Sequence, residues 1–150
     1  AGYSAGGVAR GLLVGTIVYL VSAFFTTPRI DSLLIVLIFS VLTSIIFSLA
    51  GLLNAIFAVK FDDISIFSTF ILTPLTYFGG VFYSINDLPQ IWQTISLFNP
   101  ILYMVDGFRY GFYSISHFNI PLSIAVLLII TLILGTTNYI LIQKGVGLRN

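Results

Sequence analysis

The fold of this chain is decided by a stretch without any charged residue, SLLIVLIFSVLTSIIFSLAGLLNAIFAV, which covers residues 32–59. An α-helix rises about 1.5 Å per residue, so a helix of this length exceeds the roughly 30 Å hydrocarbon thickness of a bilayer. Three further stretches without charge cover residues 11–28, 64–86 and 110–143. We therefore predict an all-α integral membrane protein that crosses the bilayer several times.

The composition agrees with this fold class. Hydrophobic residues make up 58% of the chain and charged residues 7%, and the mean hydropathy is +1.09, which leaves too little polar surface for a water-soluble domain. A net charge of +1 without a basic cluster excludes nucleic acid as a partner, because phosphate binding needs several converging Lys or Arg side chains. With no Cys and one His, the sequence predicts no metal site and no cofactor held by this chain.

The charge-free stretches predict four transmembrane helices and, between the third and the fourth, two short helices. The spans are expected at about 5–25, 31–58, 64–83 and 120–142, and the short helices at about 88–97 and 100–113. Asn99–Pro100 is a helix start signal. Neither short helix can cross a bilayer, so together they form an outer hairpin that is either interfacial or re-entrant. The re-entrant form requires protein or a water-filled cavity around the break at Asn99–Pro100.

Small residues at four-residue spacing mark places where helices approach closely. Gly7, Gly11 and Gly15 form such a stripe in the first span, which indicates close packing either within the molecule or at a homodimer seam. Serines at positions 40, 44 and 48 form a similar ridge in the second span, typical of helix packing and occasionally of a solute path. Both alternatives stay open at the level of the sequence.

Three local signals concern the ends and the middle of helices. Pro74 lies within the third predicted span, where it must bend the helix, as happens in transporters and in helices that curve around a bundle. Asp31 stands where the N-cap of the second span is expected. Asp106 and Arg109 lie three residues apart on the second short helix and are predicted to pair, as a structural clamp or as a solute gate.

The distribution of basic residues gives the predicted orientation. With four spans, both ends and the loop after the second span share one side of the membrane. That side holds Arg10, Lys60, Lys144 and Arg149, and the other side holds Arg29 and Arg109. Because basic loops stay in the cytoplasm, both ends of this segment are predicted to be cytoplasmic and the hairpin to lie on the outer face.

Two alternative functions come from the residues themselves. Residues 2–6 match the G-x-S-x-G pattern of a serine hydrolase, so that Ser4 and His117 could serve an intramembrane hydrolase. That chemistry needs a strained strand-to-helix turn, whereas this match begins a glycine-rich membrane helix.

An ion-coupled carrier or channel usually buries ionisable groups in mid-membrane, but all acidic residues here lie at predicted span ends or in the hairpin. No phosphate-binding G-x-x-x-x-G-K-[ST] motif is present, so these residues encode no ATPase.

Two longer stretches resemble a known family. Residues 98–111, FNPILYMVDGFRYG, resemble the signature of the ABC-2 type transport permeases, and residues 72–83, LTPLTYFGGVFY, are similar to the fifth span of that family. The opening glycine-rich helix with Arg10 and Gly11 is similar to the third span. The resemblance covers nearly the whole chain and is strongest to the bacterial YadH-like branch, which itself resembles nodulation-factor, polysaccharide and drug exporters.

The resemblance implies a permease subunit of a type V ABC exporter in the bacterial inner membrane. Residues 1–150 would form a single membrane domain, the C-terminal portion of a six-span permease, without the first two spans and the coupling helix. Such a fragment alone would neither dock its motor nor transport. Two copies of the permease would dimerise, and a separate ABC ATP-binding subunit would hold ATP and Mg²⁺ and supply the hydrolysis. The chain itself would be no enzyme and would form a path for an amphiphilic or lipid-linked solute.

The resemblance also implies site residues by position. A translocation path would be bordered by side chains of the fifth span: Thr73, Pro74, Tyr77, Phe78, Phe82 and Tyr83. A gate would lie in the outer hairpin: Asn99, Pro100, Tyr103, Asp106 and Arg109. No residue is expected to be catalytic.

Overall fold

A computed structural model provides the structure of this protein. It describes residues 2–25, 27, 29–58 and 61–145, without the side chains of residues 3, 4, 61 and 63. Lys60, Arg149 and the side chain of Ser4, all used in the sequence predictions, therefore lie outside the described part.

All regular secondary structure among the described residues is helical, with no strand, which confirms the predicted all-α class. The α-helices are α1 (Gly2–Phe25), α2 (Leu33–Phe57), α3 (Phe61–Phe67), α4 (Thr73–Tyr77), α5 (Gln90–Ser96), α6 (Pro100–Tyr113) and α7 (Ile120–Gln143), with a π-helical turn at Ser68–Leu72 and a 3₁₀ turn at Ile85–Asp87. Three of these helices, α1, α2 and α7, are long and apolar enough to cross a membrane.

Helix α2 lies at the centre of the bundle, because α1, α6 and α7 all pack against it. The best-buried side chains belong to this core, where Phe39 of α2 and Leu127 of α7 are each 0% exposed. A polar link supports the same contact, since the Asn138 side-chain amide donates to the carbonyl of Leu49 over 3.0 Å. Between helices in lipid, where apolar contact gives no hydrophobic gain, such bonds and close packing hold the bundle together.

Helix α1 packs on α2 through glycine. A Cβ atom on Gly7 would stand 2.5 Å from the hydroxyl oxygen of Ser48, and one on Gly11 would collide with Ser44, whereas nothing lies within 4 Å of the position on Gly15. The two glycine–serine pairs set an antiparallel register within one molecule. This register places Arg10 level with the middle of α2, whereas the orientation prediction counted it among the residues at the cytoplasmic side.

The third predicted span is shorter than expected. Its helix ends at Tyr77 rather than near residue 83, because a turn follows in which Gly80 adopts φ +72°, a value that favours glycine. Just before Pro74 the helix widens into a π turn, in which the Thr73 amide donates to the carbonyl of Ser68, five residues back. The hydroxyl of Thr76 donates to the carbonyl of Leu72 over 2.8 Å.

The start of α2 also differs from the prediction. Ser32, not Asp31, is the N-cap residue, and its side chain makes no capping bond. The amides of Asp31 and Ser32 instead donate to the carbonyl of Gly111 in α6, over 3.1 and 3.0 Å. The Asp31 carboxylate pairs with Arg29 at 2.9 Å. A neighbouring helix therefore holds the two residues that precede α2 through their main-chain amides.

The contact of α6 with α2 predicts that Gly107→Ala destabilises the protein. The added methyl group would collide with the ring of Phe39, which is fully buried, and overpacking of this kind costs about 1–3 kcal/mol. Gly135→Ala in α7 is the matched control, because nothing lies within 4 Å of its new methyl group. Thermal unfolding in detergent compares the two variants with the parent. Equal melting temperatures for all three would contradict this packing.

Candidate functional site

The predicted hairpin is formed by α5, a break at residues 97–99, and α6. Helix α6 is the most enclosed helix described, with seven buried residues: Ile101, Leu102, Tyr103, Met104, Asp106, Gly107 and Gly111. It runs antiparallel to the first half of α2, since Gly107 lies against Phe39 and Gly111 lies against Val36. Helix α6 is therefore packed into the bundle rather than laid across its end, whereas most side chains of α5 are exposed.

Asn99 closes the break through both ends of its side-chain amide. Its carbonyl oxygen accepts a hydrogen bond from the Ile101 amide at 3.0 Å, as an N-cap does. Its NH₂ group donates to the carbonyl of Leu75 at 2.6 Å. That carbonyl lies near the end of α4, where the next available amide, of Gly79, bonds to Thr76 instead. One side chain thus satisfies the start of α6 and the end of α4.

Further main-chain groups at the break also have partners within the protein. The Tyr103 hydroxyl donates to the carbonyl of Leu97 at 2.8 Å, and the Asn99 amide donates to the carbonyl of Ser96 at 2.9 Å. Pro100 has no amide hydrogen to satisfy. Irregular backbone at membrane depth needs internal partners of this kind.

Asp106 and Arg109 do not pair with each other, so that prediction is wrong. The Asp106 carboxylate is 2% exposed and accepts from the amides of His117 and Phe118, at 2.7 and 3.2 Å. The Arg109 guanidinium donates to the carbonyl of Gly80 at 3.1 Å. Each charged side chain binds the main chain of a different segment. The amides of residues 117 and 118 and the carbonyl of Gly80 lie outside helices and have no helical partners of their own.

We call the side chains of Asn99, Tyr103, Asp106 and Arg109 the hairpin clasp. All four bind main chain, and three of them reach segments outside the hairpin: α4, the turn at Gly80, and residues 117–118. The sequence singled out these residues as a gate but gave no sign of their partners outside the hairpin, which lie 11 to 29 positions away along the chain.

The six predicted path residues lie on one flank of the molecule. Thr73, Pro74, Tyr77 and Phe82 are exposed, whereas Phe78 and Tyr83 are half-buried. The rings of Tyr77 and Phe82 are 6.0 Å apart, and Phe78 stacks on Trp92 of α5 at 5.2 Å. Within the described part of the chain, this flank presents aromatic surface that no other element covers.

An apolar cavity of about 290 Å³ lies between α4 and the hairpin. It is lined by Pro74, Leu75, Phe78, Ile95, Ser96, Phe98 and Asn99. Ser96 was not among the predicted site residues. Its side chain is 1% exposed, and its hydroxyl has no partner among the described residues. The cavity joins the predicted path to the predicted gate.

The structure does not assemble the hydrolase alternative in its described part. The side chain of Ser4 lies outside it, and His117 contributes its amide, not its ring, to the bonds with Asp106. Both carboxylate oxygens of Asp106 are taken by main-chain amides, so this acid is not free to orient a histidine base. For the same reason Asp106 is not a vacant carboxylate that could bind a coupled ion.

Comparisons with known proteins agree with the resemblance seen in the sequence. The ABC-2 type transporter family profile matches residues 1–113. The chain is 51% identical over its whole length to the inner membrane transport permease YadH of Escherichia coli, and spans 59% of that protein. It is 26% identical to nodulation protein J of Rhizobium leguminosarum bv. trifolii over 72% of this chain and 41% of that protein. No solved structure gives a significant match.

The hairpin clasp predicts that Asp106→Asn destabilises the protein. The amide keeps the size of the side chain but has one acceptor oxygen, so one of the amides of residues 117 and 118 loses its partner, at a cost of about 1–3 kcal/mol. Asp87→Asn is the matched control, because Asp87 is exposed and outside the clasp. Melting temperature and amide hydrogen exchange at residues 117 and 118 provide the measurements. Unchanged exchange at both positions in Asp106→Asn would contradict the role of Asp106.

Proposed function

Because this chain belongs to the ABC-2 type transporter family, we propose that it forms the membrane path of an ATP-driven exporter, with ATP hydrolysis on a separate ABC subunit. The relatives support transport across an inner membrane, since the protein that matches the whole chain is named as an inner membrane transport permease. The chain contributes no ATP-binding loop, so the energy for export comes from the partner subunit and its ATP and Mg²⁺.

The single observation that carries this proposal is the sealed break at Asn99–Pro100. From Gly111, which lies against α2 near its outer end, α6 extends eleven residues back to Pro100, or about 16 Å of helix. That distance corresponds to about half of the hydrocarbon thickness. Because the amides of Asn99 and Ile101 and the carbonyl of Leu97 are bonded within the protein, we infer that the hairpin is re-entrant rather than interfacial.

The uncovered aromatic flank of Tyr77 and Phe82 supports a path next to this hairpin. A single copy of the chain leaves these rings 59% and 74% exposed, in a position that a second copy could face across a shared path. Aromatic and hydroxyl groups, without a buried ion pair in the described part, suit an amphiphilic or lipid-linked solute. The homodimer and this solute class are parts of the proposal.

The hairpin clasp suggests how the path would open. Asn99 ties α6 to α4, and Arg109 ties it to the Gly80 turn. A shift of α3 and α4, driven by ATP binding at the partner, would therefore carry the hairpin with it as one body. Export then needs two packing states with different affinities for the solute, and no catalytic side chain in this chain.

Partnership with an ATPase is tested by affinity purification. Full-length protein purified from native membranes in mild detergent is expected to recover an ABC ATP-binding subunit, because only such a subunit can supply the hydrolysis. An unrelated tagged membrane protein of the same host serves as the control. Repeated recovery of the permease without any ATPase would count against the exporter.

The orientation is tested by cysteine labelling, since residues 1–150 contain no cysteine. Asn86→Cys lies in the exposed outer segment and Gln143→Cys at the exposed end of α7. A membrane-impermeant maleimide added to intact cells stripped of their outer membrane should modify Asn86→Cys only, and inverted vesicles should give the reverse. Labelling of Gln143→Cys from outside would show that the proposed orientation is inverted.

A further inference from the structure

Arg10 lies at an unusual depth in the bundle. The contacts of Gly7 with Ser48 and of Gly11 with Ser44 place it level with residue 45, the midpoint of α2, which runs from Leu33 to Phe57. Twelve residues, or about 18 Å of helix, separate that level from either end of α2. If α2 crosses the bilayer, Arg10 lies near its centre.

The Arg10 side chain is exposed and has no partner among the described residues. The one ion pair found in that part of the chain joins Arg29 to Asp31 at the outer end of α2. Of the other carboxylates that the structure describes, Asp106 is engaged by main-chain amides, and neither Asp62 nor Asp87 pairs with Arg10. A cation in mid-membrane is costly without a partner, and such residues usually mark a path or a ligand.

A groove between α1 and α2 surrounds this arginine. Its volume is about 440 Å³, and its walls combine small and hydroxyl-bearing residues with apolar ones, among them Thr43, Val14 and Phe47. The Thr43 hydroxyl is buried and has no hydrogen-bond partner in the described residues. Val14 and Phe47 are 50% and 39% exposed. The groove thus offers a cation beside an apolar wall.

We propose that this groove binds the anionic group of an amphiphile, a phosphate or a carboxylate. The Arg10 guanidinium would bind two of its oxygens, as the planar fork of arginine favours. The apolar chain of the amphiphile would lie along Val14 and Phe47. This inference rests on the proposed function and narrows its solute to negatively charged amphiphiles.

The charge of the groove selects this occupant over an uncharged one. A neutral lipid chain would fill the apolar wall but leave the guanidinium unpaired in hydrocarbon, whereas an anion compensates its charge. A carboxylate from another part of the same polypeptide would compensate it equally well. In that case removal of the arginine would destabilise the protein without weakening the binding of any amphiphile.

Calorimetric titration of the full-length protein in a neutral detergent tests the proposal. The probes are dodecyl phosphate, dodecylphosphocholine with the same chain but no net charge, and inorganic phosphate. Dodecyl phosphate is expected to bind at least about tenfold more tightly than either of the other two, and Arg10→Gln to lose about that factor. Arg10→Lys should retain most of the affinity. Arg29→Gln is the matched control, because that arginine is 81% exposed and distant from the groove.

Several outcomes would overturn the inference. Equal affinity of the parent for dodecyl phosphate and dodecylphosphocholine would remove the anion preference, whatever the behaviour of the variants. If the parent bound inorganic phosphate as tightly as dodecyl phosphate, the apolar chain would not contribute to binding and the occupant would not be an amphiphile. If Arg10→Gln lowered the melting temperature but left the affinity for dodecyl phosphate unchanged, the partner of the arginine would be a carboxylate of the protein itself. Recovery of an ATPase in the affinity purification is independent of these titrations, so the exporter and the anion groove fail separately.

Discussion

The structure depends on one constraint, which is that a main-chain polar group in hydrocarbon must find its partner within the protein. Long helices meet this constraint by themselves, and the break before α6 meets it through side chains. Asn99 satisfies a free amide of α6 and a free carbonyl of α4, and Tyr103 satisfies the carbonyl of Leu97. Without these bonds the hairpin could not enter the bundle, and α6 could not pack along α2.

The same constraint explains why the charged side chains of α6 bind main chain rather than each other. An Asp106–Arg109 pair would have satisfied two charges but left the amides of residues 117 and 118 and the carbonyl of Gly80 without these partners. The observed arrangement satisfies charges and main chain together. It also joins α6 to α4, to the Gly80 turn and to the start of α7, so the hairpin is a mechanical link between elements that are far apart in sequence.

Much of the architecture was predictable because its causes are local. Charge-free stretches of sufficient length indicated α1, α2 and α7, and the Asn-Pro pair marked the start of α6. The predictions that proved wrong depended on neighbours. The third span ends early at a glycine turn packed against Ile101, and Ser32 rather than Asp31 is the N-cap of α2, where the carbonyl of Gly111 accepts from the amides of both residues. The level of Arg10 relative to α2 is likewise visible only in the register of α1 against Ser44 and Ser48.

The sequence by itself determined that the chain is an all-helical membrane protein, and its resemblance to ABC-2 permeases identified the family, because length, hydropathy and short motifs are written along the chain. The tertiary structure decided which main-chain groups the hairpin residues bind, which aromatic flank remains uncovered, and how deep Arg10 lies. These features arise from the register between helices that are far apart in sequence. That register comes from side-chain packing such as Gly107 on Phe39, and no local pattern encodes it.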